Sequence, residues 1–105
     1  MTNIFEDLAT CLDEEEFKTI VESAPTKIER IVSTGHHSEE GFWYDQEDHE
    51  WVLVLQGSGV IEYEDGSVIE LNVGDYVNIP AHQKHRVKET SRREPTVWLA
   101  VHYWA

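Results

Sequence analysis

The chain has 105 residues, which suits a single domain with one modest hydrophobic core. Acidic residues outnumber basic ones by 21 to 8 and give a formal net charge of −13, so repulsion disfavours binding to nucleic acid or to an anionic membrane surface. Cys11 is the single cysteine and excludes an internal disulfide, and no signal peptide or membrane-spanning run is visible, which predicts a cytoplasmic protein.

The segment 13–24 is predicted to form the first element, an α-helix. Asp13 and Glu16 have the spacing of a capping box, and a proline follows the segment. Its apolar side chains recur at helical spacing: Phe17, Ile20, Val21 and Ala24. We therefore expect residues 1–26 to form an N-terminal helical segment that packs on a β-domain formed by residues 27–105.

After this segment the sequence changes to short runs rich in Val, Ile, Tyr and Trp, which are typical of β-strands. Gly, Pro or Asp-Gly separates the runs, and Asp65-Gly66 is expected to form a hairpin turn. The predicted strands cover residues 27–33, 42–44, 50–56, 59–64, 67–71, 76–79, 85–90 and 96–103. Eight closely spaced strands predict an all-β fold, a small sandwich or barrel with the helix on its outside.

Two segments have the spacing of a recognisable motif pair. In the first, six residues separate Glu50 from Gly57. In the second, five residues separate Gly74 from Pro80, and His85 lies five positions further on. The pair resembles the two conserved-barrel motifs of the cupin superfamily, and more loosely the chain resembles small single-domain cupins of the cupin 2 type. The resemblance implies a cupin-like double-stranded β-helix, or jelly-roll barrel, with a short N-terminal helix.

The resemblance also implies positions for metal ligands. Cupins usually hold a metal with two histidines and the glutamate of the first motif, together with the histidine of the second. Glu50 and His85 match two of these positions, whereas Gln46 and Tyr44 stand where the family usually has the two other histidines. The second motif departs at two further positions, with His82 in place of Gly and Glu89 in place of Asn.

Strand alternation predicts which side chains of this region face the barrel interior. If Glu50 faces inward, then Tyr44, Gln46 and Asp48 tend to face inward and His49 faces outward. A β-bulge in the preceding residues would reverse this assignment. The sequence leaves open whether three other histidines reach the pocket: His36, His49 and His82.

The inward residues define the candidate site. Glu50 and His85 are the predicted catalytic residues, and together with Gln46 they are the predicted ligands of a divalent transition metal, Fe, Mn, Ni or Zn. Tyr44, Gln46 and His102 are the predicted ligand-binding residues. The alternative is a site without metal, in which Glu50 and His85 form an acid–base pair.

Three functions remain open on this basis. The first is a metal-dependent small-molecule enzyme of the dioxygenase or isomerase/lyase type. The second is a non-catalytic domain that binds or senses a small organic ligand with a degenerate metal site, and the third is a structural or interaction module with an empty barrel. The outward face of residues 50–56 is apolar, and with the aromatic C-terminal strand it predicts a homodimer interface.

Overall fold

The computed structural model describes residues 2–104 and contains eight β-strands. In chain order they are β1 (Glu16–Ser23), β2 (Thr26–Ser33), β3 (His49–Gln56), β4 (Gly59–Tyr63), β5 (Val68–Leu71), β6 (Tyr76–Ile79), β7 (His85–Thr90) and β8 (Thr96–Tyr103). Residues 1 and 105, the outer bounds of the two predicted segments, lie outside the described residues.

The strands form two antiparallel sheets that pack against each other. The larger sheet has the order β1-β2-β8-β3-β6, and the smaller one has the order β5-β4-β7. Alternate side chains of the central strands fill the space between them: Val52, Val54, Ile61, Leu71, Ile79, Trp98 and Ala100. This arrangement confirms the predicted all-β fold. The predicted strand 42–44 is reduced to a single bridge between Tyr44 and His85.

The predicted N-terminal helix is wrong, because the chain forms β1 there and no residue of 2–104 is helical. β1 pairs antiparallel with β2, and Phe17 lies opposite Ile31. The apolar residues recur at helical spacing, but the β-branched run Thr19-Ile20-Val21 favours an extended backbone. A register shift between Thr19 and Val21 interrupts the regular alternation of β1. Pairing in a hairpin with β2, the next strand along the chain, therefore overrides the capping-box pattern. The prediction of a helical segment over residues 1–26 is wrong for the described residues, 2–26.

Arg30 fixes the N-terminal segment to the larger sheet. This side chain is only 4% exposed, and its Nη1 donates hydrogen bonds to the backbone oxygens of Ile4 and Glu6, at 3.1 and 2.8 Å. Its Nη2 donates to Glu16 Oε1 of β1 at 2.7 Å. One buried guanidinium therefore connects the N-terminal residues, the edge strand and β2.

The register of the larger sheet brings polar side chains from three strands to its inner face. Glu50 of β3 lies directly opposite His102 of β8, and Glu29 of β2 lies opposite the neighbouring inward residue of β8, Ala100. Residues opposite each other in an antiparallel pair point to the same face of a sheet. None of the described segments is a helix that could cross a membrane.

Candidate functional site

A cavity of about 80 Å³ lies between the two sheets at one end of the barrel. Residues of both sheets line it, and most of their side chains are apolar. All five residues predicted from the sequence are among them: Tyr44, Gln46, Glu50, His85 and His102. At about 10–15 Å³ for each water, the space suits a few waters or a small organic group.

His85 is a buried side chain of the cavity with a defined orientation. It opens β7, is 5% exposed, and its Nδ1 lies 2.9 Å from the backbone oxygen of Gln83. Since a carbonyl only accepts hydrogen bonds, Nδ1 carries the proton and Nε2 faces the cavity. Tyr44 packs against His85. Tyr44 N donates to the His85 backbone oxygen at 2.7 Å, and His85 N donates to the Tyr44 backbone oxygen at 3.2 Å. The two side-chain rings are stacked, with their centroids 5.4 Å apart.

Glu50 provides a buried carboxylate beside this imidazole. Its side chain is 12% exposed, and Oε1 lies 3.7 Å from His85 Nε2, which is longer than a hydrogen bond. Both groups therefore keep an acceptor position available to a ligand in the cavity. The orientation of Glu50 agrees with the strand alternation used above, because Val52 and Val54 of the same face are buried in the core.

His102 forms an ion pair with Glu29 in the wall of the cavity. Nε2 donates to Glu29 Oε1 at 2.8 Å. This hydrogen bond raises the pKa of His102 above its ordinary value of 6.5, with help from the charges of Glu50, Glu29 and Asp48 and against the effect of burial. The same hydrogen bond lowers the pKa of Glu29 below 4.5. His102 Nδ1 lies 3.1 Å from Asp48 Oδ2 without hydrogen-bond geometry.

Glu29 and Asp48 are parts of the site that sequence reasoning missed. Asp48 had been placed on the inner face by strand alternation, but no role was given to it. A signal for Glu29 existed as well, because it lies on the same face of a predicted strand as the apolar residue Ile31. Its contact with His102 joins residues 73 positions apart, and a sequence pattern does not specify such a partner.

Tyr44 is a neutral phenol in this environment. Burial raises its pKa above 10, and the nearby carboxylates of Glu15, Glu50 and Glu29 raise it further. Gln46 lines the cavity, and its backbone oxygen accepts a hydrogen bond from His82 N at 2.8 Å.

The three histidines left open by the sequence all lie outside the cavity lining. His49 Nδ1 accepts a hydrogen bond from Ala81 N at 3.0 Å, and His36 Nδ1 accepts one from Thr34 N at 2.9 Å. His82 is exposed, and its Nδ1 lies 3.0 Å from Asp45 Oδ1. Its φ of 65° falls in the left-handed region, which explains why glycine is usual at this position.

The residues present do not fit a tightly held transition metal. In the chain from residue 2 to 104, no three His, Cys, Asp or Glu side chains are grouped so that they could hold an ion. Glu50 and His85 supply two strong donors, and Gln46 adds at most a neutral amide oxygen. The phenol of Tyr44 stays protonated, and His102 Nε2 is engaged by Glu29. No chemistry is therefore assigned to a metal.

The chain matches one protein-family model and is similar to several solved structures. The model of the cupin domain family (Cupin_2) matches residues 31–102. A Ralstonia eutropha JMP134 protein named "putative mannose-6-phosphate isomerase" is 44% identical, with a TM-score of 0.96, over 100% of this chain and 98% of that chain. No curated protein matches the chain.

Two more distant structures share the fold alone. A cupin superfamily protein from Desulfitobacterium hafniense DCB-2 is 18% identical, with a TM-score of 0.74, over 89% of this chain and 80% of that chain. The structure named FeII HppE is 14% identical, with a TM-score of 0.72, over 85% of this chain and 50% of that chain.

Proposed function

This chain belongs to the cupin domain family, and from that premise we propose that it binds a small organic molecule in the barrel cavity through Glu50 and His85. The orientation of His85 carries the proposal. The hydrogen bond from Nδ1 to the Gln83 backbone directs Nε2 toward the cavity, 3.7 Å from a buried carboxylate. Two available polar atoms among mainly apolar walls are typical of a ligand site.

The walls supply the apolar part of the binding energy. Trp98 and Ile61 are 3% exposed, and Val52 is 4% exposed, so the cavity is built into the hydrophobic core. Apolar ligand area removed from water there contributes roughly 25 cal/mol per Å². The polar pair then fixes the orientation of the ligand, because a buried acceptor left without a partner costs free energy.

Glu50 and His85 also favour a second candidate function, the catalysis of proton transfer. A carboxylate and an imidazole that face one ligand can remove a proton from one atom and return it to another, which typically accelerates a reaction by about 10²–10⁴-fold. The 44% identical Ralstonia eutropha protein has an isomerase name, and an acid–base pair can isomerise a substrate by moving a proton from one atom to another, without requiring the same substrate. In this reading Glu50 and His85 are the catalytic residues.

Ligand screening tests the proposal and separates the two candidates. We expect a small organic molecule to raise the melting temperature of the wild type, and Glu50→Gln to reduce that shift, because bound ligand stabilises the native state. Glu70→Gln, an exposed position on β5, is the matched control. Incubation of each ligand in D₂O, followed by NMR, then shows whether carbon-bound protons exchange.

The outcomes separate the functions. Exchange that disappears in Glu50→Gln and His85→Gln supports proton transfer, whereas binding without exchange supports a binding or sensing domain. A screen in which no small molecule stabilises the wild type would contradict both and favour an interaction module.

A homodimer remains our proposal for the oligomeric state. The outer face of the larger sheet carries a row of partly exposed apolar side chains from neighbouring strands: Ile28, Trp51, Leu53, Tyr76, Leu99 and Val101. In a chain with a net charge of −13, two copies meet with the least repulsion at an uncharged surface. A second copy that uses the same face would bury this row.

A further inference from the structure

Acidic side chains predominate among the charged groups of the cavity lining. Three carboxylates line it, from Glu15, Glu29 and Glu50, and among the described lining residues none is a lysine or an arginine. Glu29 is neutralised by His102 at 2.8 Å and by Lys27 Nζ at 3.4 Å. Neither Glu15 nor Glu50 is paired with a lysine or an arginine of the described lining, and the nearest imidazole nitrogen to Glu50, at 3.7 Å, is beyond hydrogen-bond distance. The space between the sheets is therefore electronegative.

Glu50 is the carboxylate that most requires a partner. It is 12% exposed, and its ion-pair contact, His85 Nε2 at 3.7 Å, is too long for a hydrogen bond. No group within residues 2–104 donates a hydrogen bond to this carboxylate. A buried carboxylate without a donor is costly, so a ligand that brings positive charge and N–H donors removes that cost.

Two further side chains respond to these same carboxylates. Burial raises the pKa of Tyr44, and the charges of Glu15, Glu50 and Glu29 raise it further. The pKa of His102 is raised first by its hydrogen bond to Glu29, and then by the charge of Glu50 despite burial. Both shifts favour positive charge and disfavour negative charge in the cavity.

The acceptor geometry and the walls fit an ammonium group. A primary ammonium has three N–H donors, a secondary ammonium has two, and neither has an acceptor. Glu50 Oε1 and, in the neutral imidazole, His85 Nε2 are two acceptors close enough to contact one nitrogen. Tyr44, Trp98 and Phe17 place aromatic rings in the wall, and aromatic faces attract cations. Phe17 is 54% exposed, so it lies where the cavity opens to solvent.

We propose that the ligand of this cavity is a small organic cation with a primary or secondary ammonium group, bound by Glu50 and His85 Nε2. The inference rests on the proposed binding function and names the chemical class of the ligand. It excludes phosphorylated and carboxylate ligands, because an anion there would meet Glu15 and Glu50 without an arginine, a lysine or a helix N-terminus in the described lining.

A matched set of probes tests the charge preference. Butylammonium, 1-butanol and butyrate share a four-carbon chain and differ in charge, while glucosamine and mannose 6-phosphate extend the comparison to sugars. We expect butylammonium to shift the imidazole NMR signals of His85 and His102, to raise the melting temperature, and to bind at least about tenfold more tightly than butyrate.

Three variants test whether the preference for butylammonium over butyrate arises in the cavity. Glu50→Gln keeps the shape of the side chain and is expected to remove the preference for butylammonium, and Glu15→Gln is expected to weaken it. Glu70→Gln, which lies on β5 away from the cavity lining, controls for general attraction of amines to an acidic protein and should leave the preference unchanged.

Each result decides a different question. Butyrate or mannose 6-phosphate binding in the cavity as tightly as its cationic counterpart would overturn the cation inference and leave ligand binding intact. Loss of the preference in Glu70→Gln to the same extent as in Glu50→Gln would also overturn it. Failure of all five probes to bind would overturn the proposed function together with the inference.

Discussion

His102 Nε2 donates a 2.8 Å hydrogen bond to Glu29 Oε1 across the inner face of the larger sheet. The hydrogen bond joins β8 to β2 and favours the charged forms of both side chains, since it raises the pKa of His102 and lowers that of Glu29. His102, which was predicted to contact the ligand, is therefore held in the wall by Glu29, near the carboxylates of Asp48 and Glu50.

The His102–Glu29 pair should make stability depend on pH in both directions. The folded-state pKa of His102 is raised, so its contribution is complete below the unfolded value of about 6.5 and is lost as pH rises through the folded pKa. Glu29 has a lowered folded-state pKa, so its contribution is complete above about 4.5 and is lost as pH falls through the folded pKa.

Thermal melts across this pH range measure the effect. The difference in melting temperature between the wild type and His102→Gln should be largest between the two unfolded values and should shrink above the folded pKa of His102. The double variant Glu29→Gln/His102→Gln isolates the coupling. A difference that stays constant from acid to alkaline pH would contradict the ion pair.

Metal content should be below one ion per chain in protein purified without a histidine tag. Glu50 and His85 offer two strong donors, and the phenol of Tyr44 holds its proton. Mass spectrometry after soaking with Fe(II), Mn(II), Ni(II) and Zn(II) measures this. As the matched gain-of-function control, Tyr44→His/Gln46→His restores the histidine positions and should bind metal. Stoichiometric metal in the wild type that is lost in Glu50→Ala would contradict our assessment.

Leu53→Glu should convert a homodimer to a monomer. The substitution places charge in the centre of the apolar outer row, where both copies would carry it at the interface. Light scattering during gel filtration measures the mass. Val68→Glu, at a 49% exposed position on β5 in the other sheet, is the control and should leave the mass unchanged. A wild type of monomeric mass at high concentration would exclude the interface.

His82→Gly should raise the free energy of unfolding by up to about 1 kcal/mol. A non-glycine residue in the left-handed region costs about 1–2 kcal/mol, which exceeds the extra unfolded-state entropy of glycine, about 0.5–1 kcal/mol. The lost contact with Asp45 is exposed and contributes little. Urea unfolding of His82→Gly and of Asp45→Ala separates the two effects. Equal destabilisation of both variants would show that the contact outweighs the backbone cost.

The sequence predicted the parts of this structure that depend on local pattern. The strands from β2 onward follow from two-residue alternation and turn residues, and the inward position of Glu50 follows from the motif spacing. β1 was missed because its apolar residues recur at helical spacing, whereas its backbone pairs with β2 through a register shift between Thr19 and Val21. Glu29 and its partner His102 were not connected, since their contact depends on strand order.

Arg30 has a consequence for the dynamics of the N-terminal region. Its guanidinium is shared by the backbone of Ile4 and Glu6 and by the carboxylate of Glu16, so none of these contacts is independent of the others. Local opening of β1 at Glu16 removes the anionic partner that holds Arg30 in place beneath the N-terminal residues. Amide hydrogen exchange in β1 and in the first residues should therefore follow a single cooperative opening event, with one shared protection factor.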